Sequence, residues 1–250
     1  GDWAAFLKAE EKIFQTLRAE VTDKLPPEAP TPANRYYEGS IIYPPKFAQD
    51  WNRSYVLEPA GKPGGAVVLL HGLTDSPYSL RHIARRYAAA GFVVAAIRLP
   101  GHGTVPAGLS DVRWEDWMAA TRLAVREAKR LTAPDAPLHL VGFSNGGALS
   151  VKYALDAMEN PKLAPPDRLI LLSPMIGITR FARLTGIAGM PAALPRFAKA
   201  AWLSIVPEFN PFKYNSFPVN GGRQSFRLTQ ELQEQIAAAA NKDGLKRMPP

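Results

Sequence analysis

A chain of 250 residues, 46% hydrophobic and with a formal net charge of +8, can bury one sizeable α/β core with an inserted subdomain, and wholesale disorder is excluded. It has no cysteine, which excludes disulfides, thiolate metal sites and a cysteine nucleophile, and no apolar run approaches the roughly 18 residues of a membrane helix. The basic residues, such as Arg81, Arg85, Arg122 and Arg126, are scattered over polar helix faces rather than gathered in a tract. A solvated surface is expected and no nucleic-acid partner, while attraction to an anionic membrane surface stays open.

In chain order, Trp3, Phe6, Phe14, Leu17 and Val21 recur at helical spacing, which predicts an amphipathic helix stopped by Pro26-Pro27. Residues 26–35 are Pro-rich and read as a linker. Short strands are expected at Ser40–Tyr43 and Arg53–Glu58. Regular alternation follows: strand 66–70, a helix from Ser76 to Ala90 with Ser76 as N-cap, and strand 92–97. Then come a helix from Trp114 to Leu131, strand 138–143, helix 145–158 and strand 168–172. Apolar runs alternating with helices predict a parallel sheet covered on both faces. After Ser173-Pro174 the rhythm breaks, and 178–225 reads as a lid with a helical stretch at Phe197–Ile205. A helix from Thr229 to Ala240 rejoins the core, and 246–250 resembles the approach to another strand. The expected organisation is therefore an amphipathic helix and linker over 1–35, a core over 36–177, the lid over 178–225 and a returning core segment over 226–250.

The sharpest signal is Gly142-Phe143-Ser144-Asn145-Gly146 between a predicted strand and a predicted helix. Strand, G-x-S-x-G and helix make a nucleophile elbow, in which glycines permit a turn tight enough to lift one serine hydroxyl above the sheet. The helix amino terminus also favours negative charge there. In such an architecture the loop after the first parallel strand, His71-Gly72-Leu73-Thr74, supplies one oxyanion amide, and the residue after the nucleophile supplies the other. The inferred donors are the backbone N–H groups of Leu73 and Asn145, with His71, Gly72, His102 and Phe143 near the site. All four histidines (His71, His82, His102 and His139) precede Ser144. Flanked by Gly101 and Gly103, His102 is expected to be structural or a pocket wall rather than a base. His139 reads as a core histidine. No cluster has metal-ligand spacing and no Gly-rich loop matches a cofactor fingerprint, so no cofactor is expected.

Together, His71-Gly72, Gly101-His102-Gly103 and Gly142-x-Ser144-x-Gly146 resemble the α/β-hydrolase superfamily, specifically bacterial carboxylesterases and monoglyceride-lipase-like enzymes, over about residues 53–250. The resemblance implies a serine hydrolase of carboxylic esters with Ser144 as nucleophile and Leu73 and Asn145 as oxyanion donors. It also implies a lid and a small-molecule ester substrate with an apolar acyl or aromatic group, lined by Phe181, Met190, Phe197, Trp202, Phe209 and Phe212. The family places its acid after the strand that follows the lid and its histidine after the last strand. Neither stretch stands within these residues, so roughly 60–100 residues are expected beyond Pro250, or a partner segment that completes the sheet. The chain as it stands is then expected to be nearly inactive. The alternative is a non-catalytic hydrolase-fold protein that binds an acyl ligand or a protein. The amphipathic start without Met fits a lost anchor or export signal, and hence the cell envelope, with the cytoplasm as alternative.

Overall fold

The computed structural model describes residues 2–177, 201–241 and 244–250. Its centre is a five-stranded sheet in the order β1-β3-β2-β4-β5. The strands are β1 (Tyr55–Leu57), β2 (Gly65–Leu70), β3 (Phe92–Ile97), β4 (Leu138–Phe143) and β5 (Arg168–Leu172). β1 is antiparallel to β3, and the remaining pairs are parallel. Every residue of β2 is buried. Ala66, Val68 and Leu70 face one apolar cluster and Val67 and Leu69 the other. That two-sided burial is why the parallel strands read as continuous apolar runs, and each buried Val or Leu contributes about 1.5–3 kcal/mol.

Among the described residues five helices cover or flank the sheet: α1 (Trp3–Glu20), α2 (Arg81–Ala89), α3 (Trp114–Arg130), α4 (Asn145–Glu159) and α5 (Val219–Asn241). α1 starts where Asp2 accepts from the Ala5 amide at 2.8 Å, and the helix buries Trp3, Glu10 and Phe14. α3 starts with Asp116 accepting from the Arg113 amide at 2.9 Å, as the acids near its start lead one to expect. Its fully buried Trp117 donates to the Pro100 carbonyl at 3.0 Å.

Several local expectations change. Residues 40–43 form turns before a 3-10 turn at Pro44–Lys46, not a strand. Pro44 and Pro45 have no amide to give a ladder. The helix expected from Ser76 is a 3-10 turn (Pro77–Leu80) followed by α2, and Ser76 makes no cap. Its hydroxyl instead donates to the Phe212 carbonyl at 2.7 Å. Trp202–Ser204 forms β6 and pairs with β7 (Phe217–Pro218) where a helix was expected. Residues 197–200, like Phe181 and Met190, lie outside the described residues. The returning helix begins at Val219 rather than Thr229, and accommodates Gly221 and Gly222 in its first turns. Gly221 lies against Leu73 and Leu109, where helix and loop approach closely. The Leu169 amide of β5 donates to the Pro250 carbonyl at 2.9 Å, so Pro250 sits against the outer edge of β5.

Strand order positions the site. β3 lies on one side of β2 and β4 on the other, so the connections leave the carboxyl ends of β2 and β4 in opposite directions. A crevice forms at such a switch point, and His71 and Ser144 follow the two strands that border it.

Candidate active site

Ser144 is the single residue between β4 and α4. Its backbone is at φ 52 and ψ −111, a left-handed region that residues other than glycine seldom occupy. Hydrogen bonds hold it there. The Ser144 amide donates to Leu172 O at 3.0 Å, and its carbonyl accepts from the amides of Met175 at 2.9 Å and Gly147 at 3.0 Å. The flanking glycines are required by contact. A Cβ on Gly146 would stand 1.9 Å from the Leu70 carbonyl, and one on Gly142 would stand 2.2 Å from Gly146 O. Local sequence and the neighbouring strand thus dictate the same sharp turn.

The loop after β2 lies directly against it. A Cβ on Gly72 would be 3.5 Å from Ser144 Cβ and 3.2 Å from Phe143 Cδ1. Among the described residues, neither the Leu73 nor the Asn145 amide donates a hydrogen bond to the protein. Asn145 is the first residue of α4, so no carbonyl of its own helix is available to it. Two unpaired backbone donors beside a raised serine can stabilise negative charge that develops on a substrate oxygen. The Asn145 side chain is fully buried and accepts from Ser225 Oγ of α5 at 3.3 Å.

The histidines are engaged elsewhere. His71 Nε2 accepts from the Leu99 amide at 3.0 Å, which leaves Nδ1 to carry the proton and donate to Gly72 O at 2.9 Å. That tautomer fixes the loop and leaves no nitrogen to take a proton from serine. His102 has no exposed surface; its Nδ1 donates to Pro100 O at 3.0 Å and its Nε2 has no partner. The two rings meet edge to face at 4.9 Å. His102 is thus an internal brace rather than a wall of an open pocket. His139 is bonded to Tyr87 OH at 3.0 Å, and His82 is exposed on α2. None of the four bonds Ser144.

Burial pushes His71 well below the usual histidine range, and the neighbouring His102 ring adds to this. Desolvation is also the main cause for His102, lowered from 6.5 to about 4, with Arg98 contributing. The unfolded chain therefore takes up these protons at higher pH than the folded chain does. Stability is full above the unfolded value of 6.5 and is lost as pH falls towards about 4. For His102 the loss is on the order of 3 kcal/mol. Asp75, whose carboxyl burial pushes up, opposes part of it at the acid end. Denaturant titrations from neutral pH down to about pH 4 should give a falling unfolding free energy, and a shallower fall in His102→Gln. Equal slopes would remove His102 as the cause.

Residues that the sequence did not single out complete the frame. The Tyr214 amide donates to Thr74 O at 2.7 Å. Its hydroxyl donates to Gly101 O at 3.0 Å and accepts from the Thr104 amide at 2.8 Å. One tyrosine thus ties the loop after β2 to the loop after β3. Phe212, expected at an acyl site, is buried between Tyr78 and Phe47 and is a packing residue. Trp202 is half-buried in β6, and Phe209 is exposed. Asp156 is paired with Arg122 and Lys152, and Asp167 accepts from the Leu138 amide, so both carboxylates serve the scaffold. Asp243 lies outside the described residues. Among the described residues no group of His, Asp and Glu is arranged to hold a metal ion. A cavity of ≈ 210 Å³ lies under α1, lined by Phe14, Arg35, Tyr43 and Gly103 among others, and Ser144 does not line it.

A mostly parallel sheet with this order, flanked by helices, and a strained serine between strand and helix define an α/β-hydrolase. Residues 61–249 match the family described as serine aminopeptidase, S33, and the chain belongs to that family. A thermostable monoacylglycerol lipase of Bacillus sp. (strain H-257) is 34% identical over 88 residues, which is 35% of this chain and 34% of that protein. A monoacylglycerol lipase of Mycolicibacterium smegmatis is 30% identical over 103 residues, 39% of this chain and 35% of its own. The matched segments thus span about a third of the length of these curated relatives. Among solved structures, one described for the metagenome-derived lipolytic enzymes LipS and LipT superposes with a TM-score of 0.59 at 23% identity. That match covers 74% of this chain and 71% of the other, and it is a likeness of fold.

Proposed function

We propose that this chain carries the nucleophile and the oxyanion site of a serine hydrolase of carboxylic esters. The observation that supports this most is Ser144, held at φ 52 beside the unpaired amides of Leu73 and Asn145. Ser144 Oγ attacks the acyl carbon, and the carbonyl electron pair moves onto oxygen, where the two N–H groups hold it. Collapse breaks the ester C–O bond, expels the alcohol and leaves the acyl group on Ser144. Water then attacks the acyl carbon and releases the carboxylic acid. A histidine takes the proton from Oγ and delivers it to the leaving alcohol, with a carboxylate orienting it. His71 and His102 are occupied as described, so we assign both groups to the part of the protein beyond Pro250.

Exposed Leu203, Ile205 and Phe209, which fall within the 178–225 stretch read as the lid, favour an apolar acyl chain over a charged substrate. The relatives named as monoacylglycerol lipases support a glycerol ester of that kind. The second reading is a non-catalytic acyl-binding protein, favoured by the lack of any histidine bonded to Ser144. A fluorophosphonate probe separates the two. In the full-length protein the probe should modify Ser144, mapped by peptide mass, and leave Ser144→Ala unmodified. Equal modification of both proteins would refute the nucleophile, and no modification of wild type would leave the binding reading standing.

A further inference from the structure

Residues 2–60 lie outside the stretch that matches the family, yet one side chain among them reaches the support of the site. Glu10 on α1 is 4% exposed. A carboxylate buried to that degree needs several donors, and it has three. Its Oε1 accepts from Arg98 Nε at 2.8 Å and from Ser54 Oγ at 2.9 Å, and its Oε2 accepts from the Ser54 amide at 3.1 Å. Arg98 is equally buried, follows β3 directly, and pairs with no other carboxylate among the described residues.

From Arg98 the contacts run towards Ser144. Arg98 Nη1 donates to His102 O at 2.9 Å, and the Arg98 amide donates to Ser54 Oγ at 2.8 Å. The next amide, that of Leu99, donates to His71 Nε2, and His71 donates to Gly72 O. Gly72 lies against Ser144 and precedes Leu73. Each link is buried and has a directional partner, so a displacement of Arg98 has no solvent layer to absorb it.

We propose that α1 is a built-in brace of the active site and that Glu10 is its positioning residue, setting the Leu73 amide through Arg98, Leu99 and His71. The catalytic part rests on the serine-hydrolase reading above. Without Glu10, Arg98 is a buried cation with no counter-charge. It draws in water or turns outward, and the 98–104 and 71–74 loops lose their fixed relation. A donor displaced by about 1 Å costs up to about 100-fold in rate.

The test compares wild type, Glu10→Ala and Glu11→Gln in the full-length protein, at a temperature where circular dichroism reports all three folded. Glu11 sits on the same helix and pairs with the partly exposed Arg53, so Glu11→Gln controls for a general weakening of α1. The first readout is hydrogen exchange of the Leu99 amide, which needs no activity. Exchange in Glu10→Ala should speed up about 10-fold or more, with Glu11→Gln unchanged. The second is the rate of Ser144 modification by the fluorophosphonate, which should fall about 10-fold to 100-fold in Glu10→Ala alone. Unchanged exchange in Glu10→Ala would overturn the brace. Faster exchange with an unchanged modification rate would overturn its link to the site. An equal loss in Glu11→Gln would make α1 a stabiliser only. If wild type is not modified at Ser144, the hydrolase reading fails, and the exchange result alone decides whether α1 holds the loop.

Discussion

Replacing Ser144 by alanine in the full-length protein should lower kcat/KM for p-nitrophenyl and monoacylglycerol esters by about 10⁴-fold to 10⁶-fold. The substitution removes one oxygen and leaves the elbow in place. The turn is held by backbone hydrogen bonds and by the packing of Gly142 and Gly146, none of which uses the hydroxyl. Alanine tolerates φ 52 as poorly as serine does, so stability should change little. Oxyanion donors and binding would remain and supply a residual rate of about 10³-fold to 10⁴-fold over water. Initial-rate kinetics at saturating and limiting ester give the value, and a loss below about tenfold would mean that another group performs the attack.

The 250-residue chain assayed alone should be almost as slow as that variant. No histidine in it bonds Ser144, His71 is fixed in the tautomer that donates from Nδ1, and His102 is enclosed. A serine hydroxyl without a base is a poor nucleophile at neutral pH. Members of a catalytic group act as a unit, so losing the base costs about as much as losing the serine. A sharper consequence follows. In the 250-residue chain Ser144→Ala should change the rate by less than about threefold, whereas in the full-length protein it removes nearly all of it. Parallel assays of the four proteins check this. A large effect of Ser144→Ala in the short chain would show that a base is present, and His102, with its unpaired Nε2, would be the first to replace.

The elbow was legible in the sequence because its demands are local. A one-residue turn between strand and helix leaves no room for a Cβ two residues to either side, at Gly142 and Gly146, and a raised serine leaves a five-residue trace. The parallel strands were legible for a similar reason, since burial on both faces writes a continuous apolar run. The strand expected at 40–43 failed because Ile41 and Ile42 look β-forming while Pro44 and Pro45 end any ladder. The helix expected at 197–205 failed in its described part because β6 is made by its partner β7, fifteen or so residues on, and not by its own propensity.

Glu10 did leave a trace. It stands between Phe6 and Phe14 at helical spacing, an acid in the middle of an apolar stripe. That pattern says a carboxylate is buried and must find a cation, but not which one; Arg98 lies 88 positions away. Tyr214 left none, because a lone tyrosine in a Pro- and Asn-rich stretch carries no period. Sequence was sufficient for the class of fold, the sharp turn at Ser144 and the position of the loop after β2 against it, since each follows from bonds and contacts within a few residues. Only the folded chain revealed which way the histidines face, that Ser76 reaches across to Phe212 rather than capping its helix, and that Glu10 of α1 pairs with the buried Arg98. Those outcomes turn on which distant groups meet inside a buried volume, where an unpaired charge or donor is too costly to leave, and no local rule encodes that meeting.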